Sequence, residues 1–209
     1  MHVIALGQQK GGVGKSAAAI NLACQAVAAR VKTILLDLDA EQGTAAKWGK
    51  RRNGRAPLVG ACDAYSLPSK LAEADKAGVE WVFLDLPGRS APVSSAGMAA
   101  AELVIIPTRP LDVDVEASFS TAQAVRRAGR PYAYLINIAP PQVSSARAKA
   151  ATEALRRAGH PVCPVVVIQR IQVADALAVG KGVNEIQGGD ASSDEFAALF
   201  RWLRKEVAK

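Results

Sequence analysis

Aromatic residues and cysteines are both scarce in this sequence. Only 5% of the 209 residues are Phe, Trp or Tyr, although 50% are hydrophobic. The core must therefore be built from Ala, Val, Leu and Ile, which suits a parallel sheet buried on both faces by Ala-rich helices. Cys24, Cys62 and Cys163 lie far apart, without metal-ligand or redox spacing. We expect small buried side chains in a reducing cytosol rather than disulfides.

Long hydrophobic runs are missing as well, and acidic residues are in deficit. The single apolar run at the start ends in glycines and is too short for a signal peptide. No stretch reaches the roughly 20 uninterrupted apolar residues that a membrane span needs. The 26 Lys and Arg outnumber the 19 Asp and Glu, which gives a net charge of +7. These features predict one cytoplasmic domain over residues 1–209, with an acidic partner such as nucleic acid, nucleotide or anionic membrane.

Short apolar runs that are typical of buried strands alternate with segments of helical character. The predicted strands are 3–7, 32–37, 58–61, 81–86, 103–107, 132–138 and 162–168. The predicted helices are 16–30, 44–52, 68–76, 91–101, 113–128, 144–158, 173–179 and 194–207. This alternation predicts an α/β fold with a mostly parallel central sheet and helices on both faces.

The first predicted strand runs directly into the glycine-rich turn KGGVGKS, residues 10–16, and then into a helix. This context is typical of the phosphate-binding loop of a P-loop NTPase, in which glycines let successive N–H groups converge on phosphate oxygens. Gln9 stands where the ordinary Walker A motif has glycine. We predict that Lys15 reaches the β- and γ-phosphates and that Ser16 ligates Mg²⁺. The nucleotide-binding residues would be Gly11, Gly12, Val13, Gly14, Lys15, Ser16 and Ala17.

Carboxylates end two further predicted strands. Strand alternation places Asp37 and Asp39 on one face, at the carboxyl end of the sheet. Asp85 ends the apolar run WVFLD in the manner of a Walker B carboxylate, which would hold Mg²⁺, most simply through water. Together with the glycine-rich turn, these acids predict a site for a nucleotide and Mg²⁺.

The motif KGGVGKS resembles the deviant Walker A motif of the ParA/MinD superfamily of ATPases. In that family the early lysine, here Lys10, contacts the partner's nucleotide across a dimer interface, where its charge stabilises the transition state. The segment DLDAEQ nearly matches the family pattern D-x-D-P-Q. The resemblance implies that Asp39 orients or activates the attacking water and that Asp37 supports the Mg²⁺ shell and the P-loop. The implied catalytic residues are Lys10, Lys15 and Asp39.

Two further segments refine the resemblance, which covers residues 3 to about 207. LVIIPTRPLDVD (residues 103–114) resembles small plasmid ParA proteins of the ParF-like type. Asn137 ends a predicted strand where the family often has an asparagine that reads the adenine edge, and a strand-end turn is the alternative. No segment precedes the first strand, so an operator-binding helix-turn-helix is not expected. Arg170 matches a family position near residues that help to bind DNA.

The resemblance implies a slow, Mg²⁺-dependent ATPase that forms a homodimer around ATP. The dimer would bind DNA without sequence preference and associate with the nucleoid. A ParB-like or other cargo-adaptor protein would stimulate hydrolysis, so that a plasmid, a chromosome or a protein assembly is segregated. The basic clusters that could contact DNA are Arg126, Arg127 and Arg130, then Arg147, Lys149, Arg156 and Arg157, and finally Lys181, Arg201, Arg204 and Lys205.

A MinD-like, membrane-associated positioning ATPase is the alternative function. It requires an amphipathic terminal helix, and residues 195–209 contain an apolar stripe with helical spacing. The other interpretation of this stripe, a terminal helix packed on the sheet, is favoured over a membrane partner. Iron–sulfur carriers of the same superfamily need paired cysteines, which this sequence lacks.

Overall fold

The computed structural model describes residues 1–88, 91–141 and 144–209. Its strands form a parallel sheet with the spatial order β3-β2-β4-β1-β5-β6-β7. The strands are β1 His2–Leu6, β2 Thr33–Asp37, β3 Leu58–Ala61, β4 Trp81–Asp85, β5 Leu103–Thr108, β6 Tyr132–Ala139 and β7 Val162–Ile168. The predicted α/β architecture with a parallel sheet is confirmed.

The central strand β1 lies between β4 and β5. From β1 the chain builds one half of the sheet through β2, β3 and β4, and then crosses over to build the other half. In open α/β sheets, such a change of direction leaves a crevice at the carboxyl ends of the central strands, where ligands bind. Register brings three strand ends together there, because Leu6 pairs with Asp85 and Asp37 also pairs with Asp85.

Helices cover both faces of the sheet because side chains alternate along each strand. The helices are α1 Lys15–Ala28, α2 Thr44–Arg51, α3 Leu67–Lys76, α4 Ala91–Ala100, α5 Asp112–Arg127, α6 Ser144–Arg157, α7 Ile171–Ala178 and α8 Asp190–Glu206, with a 3-10 helix at Val183–Glu185. In β1, Ile4 and Leu6 pack in a core with α1 and α8. Val3 and Ala5 pack in a second core with α3, α4, α5 and α6.

The first helix departs from its predicted bounds of 16–30. It begins at Lys15, directly after the glycine-rich turn, and ends at Ala28. Arg30 has a left-handed φ of 61°, which no helix interior accommodates. The start therefore places Lys15 and Ser16 in the first turn, where backbone N–H groups are free to meet an anion.

The apolar stripe of α8 is buried against the sheet. Its members at positions 196, 199, 200 and 203 belong to the core, with exposed fractions of 0–3%, and Trp202 and Val207 pack against that core. The interpretation as a packed terminal helix is confirmed, and the stripe is not free to enter a membrane surface. None of the helices in the described parts of the chain combines the length and hydropathy needed to cross a bilayer.

Candidate nucleotide-binding site

The glycine-rich turn between β1 and α1 follows a backbone path that requires glycine at two positions. Gly12 and Gly14 have φ values of +75° and +82°, which side chains rarely adopt. A Cβ on Gly14 would also lie 2.4 Å from Asn137 Nδ2. Backbone geometry therefore requires glycine at positions 12 and 14, and the turn lies at the N-terminus of α1, where free N–H groups can meet an anion.

A cavity of about 870 Å³ opens at the carboxyl ends of β1, β2 and β4. Four segments surround it: the glycine-rich turn with the start of α1, the loop after β2, the loop after β4 with the start of α4, and one residue of α7. The lining residues are Gln9, Gly11, Gly12, Gly14, Lys15, Ser16, Ala17, Leu38, Asp39, Ala40, Glu41, Gln42, Thr44, Pro87, Gly88, Pro92, Val93 and Leu177. The cavity thus lies where the sequence predicted the nucleotide.

Lys15 carries the positive charge of this cavity. Burial lowers the pKa of its ammonium group, and the carboxylates of Asp85 and Asp39 act in the opposite direction. The loop after β4 lies close by, since a Cβ on Gly88 would be 2.9 Å from the Gln9 carbonyl oxygen and 3.5 Å from Lys15 Nζ. The lysine and two acids therefore converge at the base of the predicted phosphate site.

Asp85 is the most unusual acid of the site. It is 1% exposed, and neither carboxylate oxygen has a hydrogen-bond partner among the residues that the structure describes. Burial raises its pKa to about 7, and the nearby Ser16 hydroxyl and the Lys15 charge offset only part of that effect. Buried polar groups normally find partners, so Asp85 is poised for a cation or an ordered water. A hard cation that prefers oxygen ligands, such as Mg²⁺, fits Asp85 and Ser16.

The two acids after β2 have different surroundings. Asp37 is buried, and its oxygens accept hydrogen bonds from the backbone N–H groups of Asp39 (2.9 Å) and Ala46 (2.8 Å). Burial raises its pKa, while these hydrogen bonds act in the opposite direction. Asp39 lines the cavity and accepts one hydrogen bond, from the Gln42 N–H at 3.0 Å. Asp37 thus holds the start of α2 against the loop that follows β2, whereas Asp39 faces the space where a substrate would lie.

Asn137 lies behind the glycine-rich turn, at the end of β6. Its Nδ2 donates hydrogen bonds to the carbonyl oxygens of Val13 (2.8 Å) and Gly14 (3.5 Å), and the side chain is 3% exposed. Among the described residues, Asn137 is not one of those that line the cavity. The donor that adenine recognition would use is engaged in bracing the turn, and the adenine role stays a prediction.

Lys10 turns away from the cavity that Lys15 enters. Its Nζ donates to the Oδ1 of Asp114 on α5, and Arg109 Nε donates to the Oδ2 of the same carboxylate. Gln8 and Gln9 also contact α5, because Thr121 Oγ1 donates to Gln8 Oε1 (2.8 Å) and accepts from the Gln9 N–H (3.2 Å). The outer side of the glycine-rich turn is therefore attached to α5.

Residues 4–183 match the model of the CobQ/CobB/MinD/ParA nucleotide binding domain. The chain belongs to this family. Family membership agrees with the cavity, the glycine-rich turn and the carboxylates at the ends of β2 and β4.

Curated relatives match over part of their length. The maintenance of carboxysome distribution protein A of Gloeobacter kilaueensis is 32% identical over 145 residues, 68% of this chain and 65% of that relative. The chromosome-partitioning ATPase Soj of Thermus thermophilus is 31% identical over 134 residues, 51% of this chain and 54% of that relative. The matches thus span less than two thirds of these relatives.

Solved structures reproduce the fold over nearly the full length. A chain of the MinC:MinD cell division protein complex of Aquifex aeolicus superposes with a TM-score of 0.80 at 16% identity, covering 98% of this chain and 96% of that one. MinD of Pyrococcus horikoshii, complexed with Mg-ADP, gives a TM-score of 0.75 at 15% identity, covering 99% and 97%. At these identities the likeness shows the fold: an α/β fold of the P-loop NTPase type.

Several residues of the site escaped sequence reasoning. Asp114 accepts from Lys10 across a long separation in sequence, Arg109 donates to the same carboxylate, and Leu177 reaches the cavity from α7. Sequence patterns predicted no role for Gly88 in the site, although its contact with the turn requires glycine. The segment PTRPLDVD contained the available signal, because a buried acid at a helix start next to a basic motif suggests an ion pair.

The basic residues that were candidates for DNA contact divide into two groups. Arg170 donates to Glu195 at 2.8 Å, so its charge is already paired. The side chains of Arg126, Arg127, Arg130, Arg147, Lys149, Arg156, Arg157, Arg201, Arg204 and Lys205 are exposed, and Lys181 is half-buried. Arg170 is therefore the weakest of these candidates in this state of the protein.

Proposed function

We propose that this chain is a slow, Mg²⁺-dependent ATPase that binds ATP in the 870 Å³ cavity. The observation that carries the proposal is the buried carboxylate of Asp85, which has no hydrogen-bond partner among the described residues and interacts electrostatically with the Lys15 charge beside the glycine-rich turn. A family relationship to nucleotide-binding domains supports it, as does the Mg-ADP complex of MinD from Pyrococcus horikoshii.

Each site residue then has a distinct task. The N–H groups of residues 11–17 bind phosphate oxygens, and Lys15 neutralises their charge. Ser16 and Asp85 hold Mg²⁺, and Asp37 keeps the turn after β2 in place. When bound, Mg²⁺ supplies positive charge that offsets the charge of the β- and γ-phosphates. Asp39 lines the cavity and positions the attacking water, a task that needs orientation more than a strong base.

We further propose that ATP joins two copies of the chain. Lys10 is absent from the described lining of its own cavity and is about one-third exposed. It is therefore available to a neighbouring nucleotide once it leaves Asp114. In such a homodimer each lysine serves the other protomer, so that dimerisation and hydrolysis depend on the same bound ATP.

The output of this switch is the positioning of a cargo on DNA. The net charge of +7 and the exposed basic side chains favour sequence-independent contacts with phosphates. A ParF-like protein of one domain, residues 1–209, would associate with the nucleoid and be reset by a ParB-like or other adaptor. Relatives named for carboxysome distribution and chromosome partitioning support this class, with a plasmid, chromosome or protein assembly as cargo.

Binding to a random-sequence DNA duplex tests the output. The chain is mixed with DNA in the presence of ATP, ADP or no nucleotide, each over a series of salt concentrations, and anionic liposomes are run in parallel. We expect DNA binding that requires ATP and weakens steeply with salt. Lys15→Ala serves as the matched control, because it should remove the ATP response without changing the surface charge of the helices.

The alternative outcomes are distinct. ATP-dependent binding to liposomes without binding to DNA would replace this proposal with the MinD-like one. Binding to DNA that is equal with ATP, ADP and no nucleotide would separate the basic surface from the switch. Absence of ATP hydrolysis and of ATP binding would overturn the enzymatic part.

A further inference from the structure

Asp114 is the centre of an ion cluster outside the nucleotide cavity. Its side chain is fully buried, with an exposed fraction of 0%. Its Oδ1 accepts from Lys10 Nζ and its Oδ2 accepts from Arg109 Nε. The two cationic side chains are 32% and 35% exposed, so each also reaches solvent. One carboxylate therefore holds two cations at the surface of the protein.

The charge of this cluster makes one cation dispensable. Burial alone would raise the pKa of Asp114, but hydrogen bonds and charge from Arg109 and Lys10 outweigh burial and lower it. The acid is thus ionised, and the three groups together carry one surplus positive charge. If Lys10 leaves, Arg109 still neutralises the buried carboxylate, so its departure does not strand a bare buried charge.

Position makes Lys10 the cation that leaves. It belongs to the glycine-rich turn, which must adapt to phosphates, whereas Arg109 follows β5 directly. Neighbouring contacts attach the same turn to α5, since Ser120 Oγ donates to Gln9 Oε1 at 3.0 Å and Thr121 contacts Gln8 and Gln9. A rearrangement of residues 8–10 on nucleotide binding would therefore change these contacts with α5.

We propose that Asp114 stores Lys10 in the nucleotide-free chain, and that release of Lys10 sets the ATP concentration at which two chains associate. This inference rests on the proposed function, because it assigns a regulatory role to the lysine that would serve the partner's nucleotide. Asp114 is a positioning residue, since it acts through Lys10, and Arg109 is the counter-ion that makes release possible.

Two substitutions should move the association midpoint in opposite directions. Asp114→Asn frees Lys10 and should lower the midpoint concentration of ATPγS, with Mg²⁺ present, by about fivefold to tenfold. Arg109→Gln leaves Lys10 as the sole counter-ion of a buried acid and should raise the midpoint by a similar factor. Light scattering coupled to size exclusion measures the dimer fraction, and ATPγS keeps hydrolysis from resetting it.

Matched controls separate storage from damage to the fold. Glu116→Gln removes an exposed acid two residues further along α5 and should leave the midpoint unchanged. Binding of fluorescent ADP to the monomer should be the same in all variants, because Lys10 does not line the cavity. Thermal unfolding identifies a variant that does not fold, and if Asp114→Asn is lost in this way, Arg109→Gln alone decides the sign.

The inference and the proposed function fail differently. If wild-type protein binds ATPγS but never dimerises, the proposed dimer is wrong. If the wild type dimerises and Asp114→Asn raises the midpoint, Asp114 positions Lys10 for the partner rather than storing it, and the inference is overturned. An unchanged midpoint in both variants overturns it as well.

Discussion

The two lysines of the glycine-rich turn lie in opposite electrostatic environments. Lys15 lines the cavity, and Asp85, the acid that acts most strongly to raise the pKa of Lys15, has no hydrogen-bond partner among the described residues. Lys10, five positions earlier, contacts an acid whose two oxygens are both engaged. The inner side of the turn is incomplete without a ligand, and the outer side is complete without one.

This contrast explains how one short motif performs two tasks. A site whose buried charges lack partners is stabilised when phosphate and metal bind, because those charges then acquire partners. A site whose charges are already paired stays closed until another interaction compensates for the loss of the ion pair. In the proposed switch, filling the first site is coupled to opening the second, because the glycine-rich turn connects the two. Substitutions that complete one side or empty the other test this view.

The largest effect is expected for Lys15→Ala. Loss of the cavity charge should weaken ATP binding by about a hundredfold or more, because phosphate loses a charge-assisted contact in a partly buried site. Lys10→Ala is the matched control and should bind ADP as the wild type does. Isothermal titration calorimetry measures both. Retained ATP affinity in Lys15→Ala would remove the lysine from the phosphate site.

Asp39→Ala should separate binding from turnover. The variant should bind ATP and stall as a dimer, with turnover lower by about a hundredfold, since the water loses its orienting carboxylate. A phosphate-release assay measures turnover, and size exclusion with ATP measures the dimer. Glu41→Ala, an adjacent acid that also lines the cavity, is the control and should turn over normally. Normal turnover in Asp39→Ala would contradict the assignment.

Local patterns predicted the inner side of the turn and failed on the outer side. Strand alternation and the glycine-rich motif place Lys15, Ser16 and Asp39 in the lining of one cavity, with the buried Asp85 next to Lys15, because short-range backbone geometry decides their positions. The Lys10–Asp114 contact joins residues 104 positions apart. No periodicity encodes such a separation, and only the order of β1 and β5 in the sheet brings the two together.

Two further residues show why side-chain roles were harder to predict than elements. The strand that ends near Asn137 was correctly predicted, but its amide donor braces the carbonyl of Val13. Arg170 lies before α7 as expected, yet it pairs with Glu195. In both cases, the partner is a group whose position depends on packing between distant elements. The residue type at the end of a strand indicates where its side chain lies in the fold. The role of that side chain depends on the group to which it is hydrogen-bonded.

Asp85→Asn should show how much the buried charge of Asp85 destabilises the nucleotide-free protein as a function of pH. The folded-state pKa is about 7, raised from an ordinary value of 3.8. The stabilising contribution of this acid is therefore fully present below pH 3.8 and is lost as pH rises to about 7. Asparagine stays neutral, so the nucleotide-free variant should become more stable than the wild type, by a margin that grows up to about pH 7.

Urea unfolding at pH 5, 6, 7 and 8 without Mg²⁺ measures this margin. The same variant should bind nucleotide with little response to Mg²⁺, a loss of about tenfold to a hundredfold in the metal-dependent affinity. Asp75→Asn, on the exposed surface of α3, is the control and should show no such margin. A difference in the free energy of unfolding that is independent of pH would mean that burial does not raise the pKa of Asp85 in the folded protein.

The smallest effect is expected for Asn137→Ala, which acts on the turn from behind. It removes the donor to the Val13 carbonyl oxygen and leaves that buried acceptor unpaired, at a cost of about 1–3 kcal/mol. Because the turn is also fixed by β1 and α1, nucleotide affinity should fall by only about fivefold, equally for ATP and GTP. Competition with a fluorescent nucleotide measures both. A loss for ATP alone would restore the adenine role of Asn137, since a brace behind the phosphates does not distinguish bases.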